Sequence, residues 1–246
     1  TSFTVSSSDD SSSSGSGVFV VVGYSGAILR STDNGSSWDN ATSPTGNNLK
    51  GVIWGNNTFV AVGSSVNIVR STDNGSSFDN VTHGGGSNLL EAVTFGNNTF
   101  VAVGYSGTIV RSTDNGTTWA SVTSGTGNNL LGVGFANNTF VVSGGCNSCN
   151  GVGNILRSTD NGSSWDNVTS GTGNTLDDVA FGNNTFVVSG ANGTIVRSTD
   201  NGTNWDDATV PANLTSYRVW GAVFGNNTFV GTTHYGKIVR STDNGS

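Results

Sequence analysis

One octet governs what this chain can fold into. Ser-Thr-Asp-Asn-Gly-x-x-aromatic begins at Ser31, Ser71, Ser112, Ser158 and Ser198, and a sixth copy runs from Ser241 to Ser246. The copies are spaced by 40, 41, 46, 40 and 43 residues, a period in which four short strands fit. The unit from Leu130 to Thr169 shows how they arise. Leu130 to Phe135 reads as a first strand, Ala136-Asn137-Asn138 as a turn, and Thr139 to Val142 as an apolar strand covered on both faces. After a loop, Asn154 to Ser158 makes a third strand, Asp-Asn-Gly reverses the chain, and Trp165 to Thr169 makes a fourth. The second-strand landmark recurs at Phe19, Phe59, Phe100, Phe140, Phe186 and Phe229, each beside Val. The expected fold is all-β: a six-bladed β-propeller of four-stranded antiparallel blades, one domain over residues 1–246 with a Ser-rich segment, 6–17, inside it.

The octet explains its own residues. Asn-Gly tolerates the positive φ of a tight turn, and the Ser and Asp oxygens can accept bonds from turn amides. The aromatic residue folds onto apolar surface, and Phe78 shows that its mass matters more than an indole N–H. Asp33, Asp73, Asp114, Asp160, Asp200 and Asp243 are therefore expected to be structural. Calcium needs more oxygen ligands than the octet holds, and no metal or cofactor is expected. Arg30, Arg70, Arg111, Arg157, Arg197 and Arg240 occupy the slot before each octet. If the hairpin pairs Ser31 with Trp38, Arg30 faces Asp39, and cross-strand ion pairs are expected there and at Arg70, Arg157 and Arg197.

The sixth copy stops where its fourth strand would begin, and Thr1 to Val5 reads as a lone strand. The N-terminal strand is therefore expected to complete the C-terminal blade and close the ring, removing sheet edges.

The formal charge is −7 with nine Lys and Arg, which offers no basic stripe for nucleic acid. No apolar run is long enough to span a bilayer. Asn-x-Ser/Thr occurs sixteen times. This is either the acceptor pattern of a glycoprotein, with Asn40, Asn80, Asn167 and Asn213 as candidate sites, or a by-product of repeated Asn turns. Cys146 and Cys149 share one loop and are expected to form a disulfide, which points to an oxidising compartment. Extracellular or cell-surface placement follows from both.

The octets, each preceded by Ile-Leu/Val-Arg, resemble the Asp-box or bacterial neuraminidase repeat. Phe100 to Trp119 is similar to propellers of the photosystem II assembly-factor type and their bacterial surface relatives. The resemblance covers nearly the whole chain and implies the fold. It leaves function open among sialidases, other glycosidases, assembly factors and binding propellers. In that family the Asp boxes lie on the face opposite the sialidase active site.

The repeats differ among themselves after the second strand and between blades, at Tyr24-Ser25-Gly26, Tyr105-Ser106-Gly107, Ala191-Asn192-Gly193 and His234-Tyr235-Gly236-Lys237, and in the longer Val210 to Arg218. The candidate ligand-binding residues on this variable face are Tyr24, Tyr105, Asn192, His234, Tyr235 and Lys237. A sialidase-like site needs three converging arginines and a Tyr–Glu pair. Here the sole Glu is Glu91, and Arg218 alone lies outside the repeated slot. Asp177 and Asp178 adjoin a first strand without a visible acid partner. The reading is a non-catalytic extracellular recognition or assembly module that binds glycan or protein. The alternatives are a glycosylated structural subunit that self-assembles into a filament or surface coat and, with least support, a glycosidase.

Overall fold

A computed structural model describes residues 17–81, 83, 88–145, 153–208, 210 and 214–245, with the backbone of a strand at Thr4–Ser7. Cys146, Cys149, Asn213 and residues 8–16 of the Ser-rich segment lie outside the described residues. The chain forms two compact units, Thr1–Val122 and Thr123–Ser246.

The first unit contains three antiparallel sheets. They are β1 (Thr4–Ser7), β2 (Phe19–Val22), β3 (Ile28–Ser31) and β4 (Asp39–Asn40); β5 (Leu49–Gly55), β6 (Thr58–Gly63), β7 (Ile68–Ser71) and β8 (Asp79–Asn80); and β9 (Leu90–Gly96), β10 (Thr99–Gly104), β11 (Ile109–Ser112) and β12 (Ala120–Val122). The second contains β13 (Asn129–Ala136), β14 (Thr139–Gly145), β15 (Gly153–Ser158) and β16 (Asp166–Thr169); β17 (Leu176–Gly182), β18 (Thr185–Gly190), β19 (Ile195–Ser198) and β20 (Asp206–Asp207); and a three-stranded sheet of β21 (Val219–Gly225), β22 (Thr228–Thr233) and β23 (Ile238–Ser241). Strands pair in chain order because every connection is a hairpin. In each of five first hairpins both turn residues are Asn with φ between 46° and 57°, the left-handed pair that matches strand twist.

The N-terminal strand does not complete the last sheet. β1 pairs with β2, Val5 opposite Val21 and Ser7 opposite Phe19. Without it the inner edge of β2 would expose a row of unpaired amides, and the nearby N-terminal segment reaches that edge at small loop-closure cost.

The same six repeat positions build three buried clusters between neighbouring sheets. In the first unit they are Val20, Ile28, Leu49, Phe59, Val69 and Phe78, then Val60, Ile68, Leu90, Phe100, Val110 and Trp119. In the second they are Val141, Ile155, Leu176, Phe186, Val196 and Trp205. The central Phe is fully buried in each, worth about 1.5–3 kcal/mol of transfer free energy. It also packs at a tilt against its cross-strand partner, as in Phe181–Phe186 at 4.7 Å between ring centroids.

The octets form closed turns. Ser31 Oγ donates to Asp33 Oδ1 (2.7 Å) and accepts from Gly35 N–H (2.9 Å), while Ser37 N–H and Oγ–H donate to the Asp33 carboxylate at 2.9 and 2.6 Å. These bonds, led by that from the Ser37 hydroxyl, hold Asp33 down at a pKa of about 2. Asp160 is held at about 2 by the equivalent bonds, led by Ser164.

At Arg30, Arg70 and Arg157 the guanidinium goes elsewhere than to the expected ion-pair partner. The register does place Arg30 opposite Asp39, Arg70 opposite Asp79 and Arg157 opposite Asp166. Their Nε–H groups instead donate to main-chain carbonyls of the following octet: Arg30 to Asn74 (2.8 Å), Arg70 to Asn115 (2.7 Å) and Arg157 to Asn201 (2.8 Å). An exposed pair with Asp39 gains about 0–1 kcal/mol. A charge-assisted bond to a carbonyl that the left-handed Asn leaves open gains about 1.5–3 kcal/mol, and wins.

Candidate recognition site

The inner strands carry a β-bulge near their start. Register shifts put one extra residue at Lys50, Glu91, Leu131, Asp177 and Trp220. A bulge turns its side chain out of the strand's alternation, and in the second unit two such residues meet Arg218. Asp177 is buried and takes the Arg218 guanidinium in a two-pronged grip, Nε–H to Oδ2 at 2.6 Å and Nη2–H to Oδ1. The Arg218 guanidinium carbon lies 4.5 Å from the centroid of the Trp220 ring. Burial raises the Asp177 carboxyl above its ordinary range, and the hydrogen bonds and charge of Arg218 only partly offset it. Asp178, the next residue, accepts the Ala222 N–H at 3.0 Å and so ties β17 to β21. Burial pushes it up to about 6 against the bonds from Ala222 and Val179.

Trp220 begins an aromatic array. It meets His234 edge-on at 6.1 Å between centroids. His234 stacks on Tyr235 at 4.2 Å with the rings 9° apart, and Tyr235 meets Tyr217 edge-on at 6.1 Å. Lys237 Nζ sits 4.1 Å from the centroid of Tyr217. Trp220 is 51% exposed and Tyr235 81%, so the array is open to solvent with a cation at each end. Two local choices place it. The 214–218 connection docks by donating Tyr217 N–H to Leu214 O and accepting Gly193 N–H at Tyr217 O. The His234–Gly236 turn holds Tyr235 at φ 68°, where the corresponding turns carry Ser25, Ser65, Ser106 or Asn192 at φ 54–59°. A bulky aromatic in the left-handed region carries strain of order 1–3 kcal/mol.

No family model matches the chain, and no curated protein matches it. Its structure is similar to that of YCF48 bound to D1 peptide, with 17% sequence identity, a TM-score of 0.74, and coverage of 98% of this chain and 78% of that one. It is also similar to YCF48 from Cyanidioschyzon merolae, at 17% identity and TM-score 0.67, covering 93% of this chain and 79% of that one. The computationally designed Ika8 protein matches at 14% identity and TM-score 0.70, covering 93% and 69%. The fold is a six-bladed β-propeller.

The second unit of the propeller brings together three residues singled out from sequence, His234, Tyr235 and Lys237. Asn192 lies on the neighbouring turn, and its side-chain amide donates to Asn174 Oδ1 at 3.0 Å. Tyr24 and Tyr105 belong to the first unit, on equivalent turns, 49% and 39% exposed. Asn40, Asn80 and Asn167 are exposed on outer strands, where Asn80 donates to Pro44 O at 3.3 Å and Asn167 Oδ1 accepts from Asn154 at 3.5 Å. Sequence reasoning missed Tyr217, Trp220 and the Asp177–Arg218 pair. The available signal was departure from the repeat: Arg218 stands outside the arginine slot, and Trp220 outside the octets.

Proposed function

We propose that this propeller is a non-catalytic recognition or assembly protein of the extracellular space, which holds a segment of a protein partner on the array from Tyr217 to Lys237. The carrying observation is the open aromatic row with Lys237 over Tyr217 at one end and Arg218 over Trp220 at the other. Exposed aromatics supply contact area at low entropic cost. Cations bordering them in a chain of net charge −7 select acidic segments. Arg218 is held by Asp177 and is thereby oriented for binding rather than for catalysis. Peptide binding by the structurally similar YCF48 supports a protein ligand. The sequons and the cysteine pair support the extracellular placement.

Selection of a displayed random-peptide library on the immobilised protein tests this reading. Recovered peptides should be enriched in acidic and aromatic residues, and their affinity should fall about 30-fold or more with Trp220→Ala. Peptides with neither enrichment, or indifferent to Trp220→Ala, would refute it.

A second reading is glycan binding, favoured by the flat His234–Tyr235 stack, on which a sugar ring can lie. Glycan-array binding lost with Tyr235→Asn would favour it. A glycosylated, self-assembling coat or filament subunit is the third, resting on the sequons alone. We also read residues 1–246 as one domain, from the unbroken repeat. A single cooperative unfolding transition seen by both calorimetry and fluorescence is then expected.

A further inference from the structure

The octet turn carries an Asn-Gly bond that it cannot do without and that is chemically weak. Gly75 sits at φ 80°, and a Cβ there would come within 2.8 Å of Val20 Cγ2. Asn74 before it is itself left-handed, at φ 60°. Glycine has no side chain to shield its main-chain nitrogen. Once hydroxide removes the N–H proton, that nitrogen can attack the preceding Asn at Cγ. The new N–Cγ bond closes a succinimide ring, the Cγ–Nδ2 bond breaks, and ammonia leaves with a proton from water. Water then opens the ring to aspartate or isoaspartate.

Two octets of the first unit present this chemistry in the same turn. Gly75 N–H donates to Ser71 Oγ and Gly116 N–H to Ser112 Oγ, both at 2.9 Å. The Asn carbonyls are held alike, Asn74 O by Arg30 at 2.8 Å and Asn115 O by Arg70 at 2.7 Å. The side-chain amides differ. Asn115 donates Nδ2–H to Thr58 Oγ1 at 2.7 Å, and Thr58 is fully buried. Asn74 is exposed, and among the described residues its side chain makes no hydrogen bond. The cause lies in the sheet on which each octet rests. Phe19 pairs with Ser31 as Phe59 pairs with Ser71, so Val18 holds the position of Thr58 and has a methyl where Thr58 has its hydroxyl. The second unit repeats the pinned arrangement, with the Asn201 amide on Thr139 Oγ1 at 2.6 Å.

We propose that Asn74 is a site of spontaneous deamidation, and that Thr58 protects Asn115 from the same reaction. Ring closure requires the Asn side chain to rotate until Cγ meets the glycine nitrogen. Asn115 must first give up its bond to Thr58, which slows it about fivefold, whereas Asn74 gives up none. The isoaspartate product routes the main chain through Cγ and lengthens the turn by one atom, which moves the carbonyl that Arg30 grips. Ageing at Asn74 thus loosens the second octet from the first sheet. None of this depends on what the aromatic array binds.

The test incubates the unglycosylated 246-residue protein at mildly alkaline pH and follows conversion at each Asn by peptide mapping with mass spectrometry. Asn74 should convert about fivefold faster than Asn115 in folded protein, and at the same rate as Asn115 in denaturant. Val18→Thr should slow Asn74. Thr58→Val, in protein that keeps its circular dichroism and its slow Asn201, should raise Asn115 to the rate of Asn74. Equal rates at the two sites in folded parent protein overturn the proposal. A difference that persists in denaturant also overturns it, because local sequence rather than the fold would then set the rates. So does a folded Val18→Thr or Thr58→Val protein in which neither rate moves.

Discussion

Arg157 donates its Nε–H to the main-chain carbonyl of Asn201 at 2.8 Å, across 44 residues, and Asn201 donates its side-chain amide to Thr139 Oγ1 at 2.6 Å. One octet thus latches the preceding sheet at two points, and Arg157 is a staple between sheets. Arg157→Ala should lower unfolding free energy by about 1.5–3 kcal/mol, measured by denaturant titration. Asp166→Ala should stay within about 0.5 kcal/mol of the parent. Equal losses for the two would reinstate the ion pair.

The octet aspartates set the acid limit. Asp33, Asp114, Asp160 and Asp200 sit at about 2 in the folded protein, below their ordinary 3.8. Lowered carboxylates bind fewer protons folded than unfolded, so their contribution is complete above about pH 4 and is lost as pH falls toward 2. Thermal melts from pH 5 to 2 should show a steep decline, and Asp160→Asn should make it shallower while lowering stability at pH 7. An Asp160→Asn protein with an unaltered acid slope would count against this account of the turn.

Asp178 acts in the opposite sense. Its folded pKa of about 6 is raised, so the folded state binds the extra proton. That stabilisation is complete below about pH 4 and disappears as pH rises through 6. Asn keeps an acceptor for Ala222 N–H without the buried charge. Asp178→Asn should therefore gain in melting temperature relative to the parent as pH goes from 5 to 8; a constant difference between the two proteins would contradict the assignment.

Tyr235 combines exposure with a left-handed backbone. Asn192 shows that the turn accepts Asn at this position. Tyr235→Asn should relieve strain while losing the His234 stack, worth about 0.5–1.5 kcal/mol, leaving net stability within about 1 kcal/mol of the parent. Retained binding in this variant would remove Tyr235 from the site.

The repeat made the strands, Asn turns and octet chemistry legible, because each position appears several times and its constraint can be read by comparison. Pairing of the N-terminal strand was not legible, since Thr4–Ser7 has the alternation to suit either sheet edge and only geometry selects β2. The arginine bonds were missed for a related reason. Register identifies the residue opposite Arg30, whereas the carbonyl it reaches belongs to Asn74 in the next repeat. At the candidate site, His234, Tyr235 and Lys237 could be found as departures from the repeat. The direction in which Trp220 and Asp177 face could not be read, because a bulge reverses the side a residue faces and leaves no mark in the hydrophobic pattern.

The most direct measurement of the recognition site is amide hydrogen exchange on the protein with and without a library-selected peptide. Protection should concentrate at Tyr217 to Trp220 and His234 to Lys237, with the octet turns unchanged. Protection confined to the octet turns, or absent from both segments at saturating peptide, would contradict a recognition role for the aromatic array.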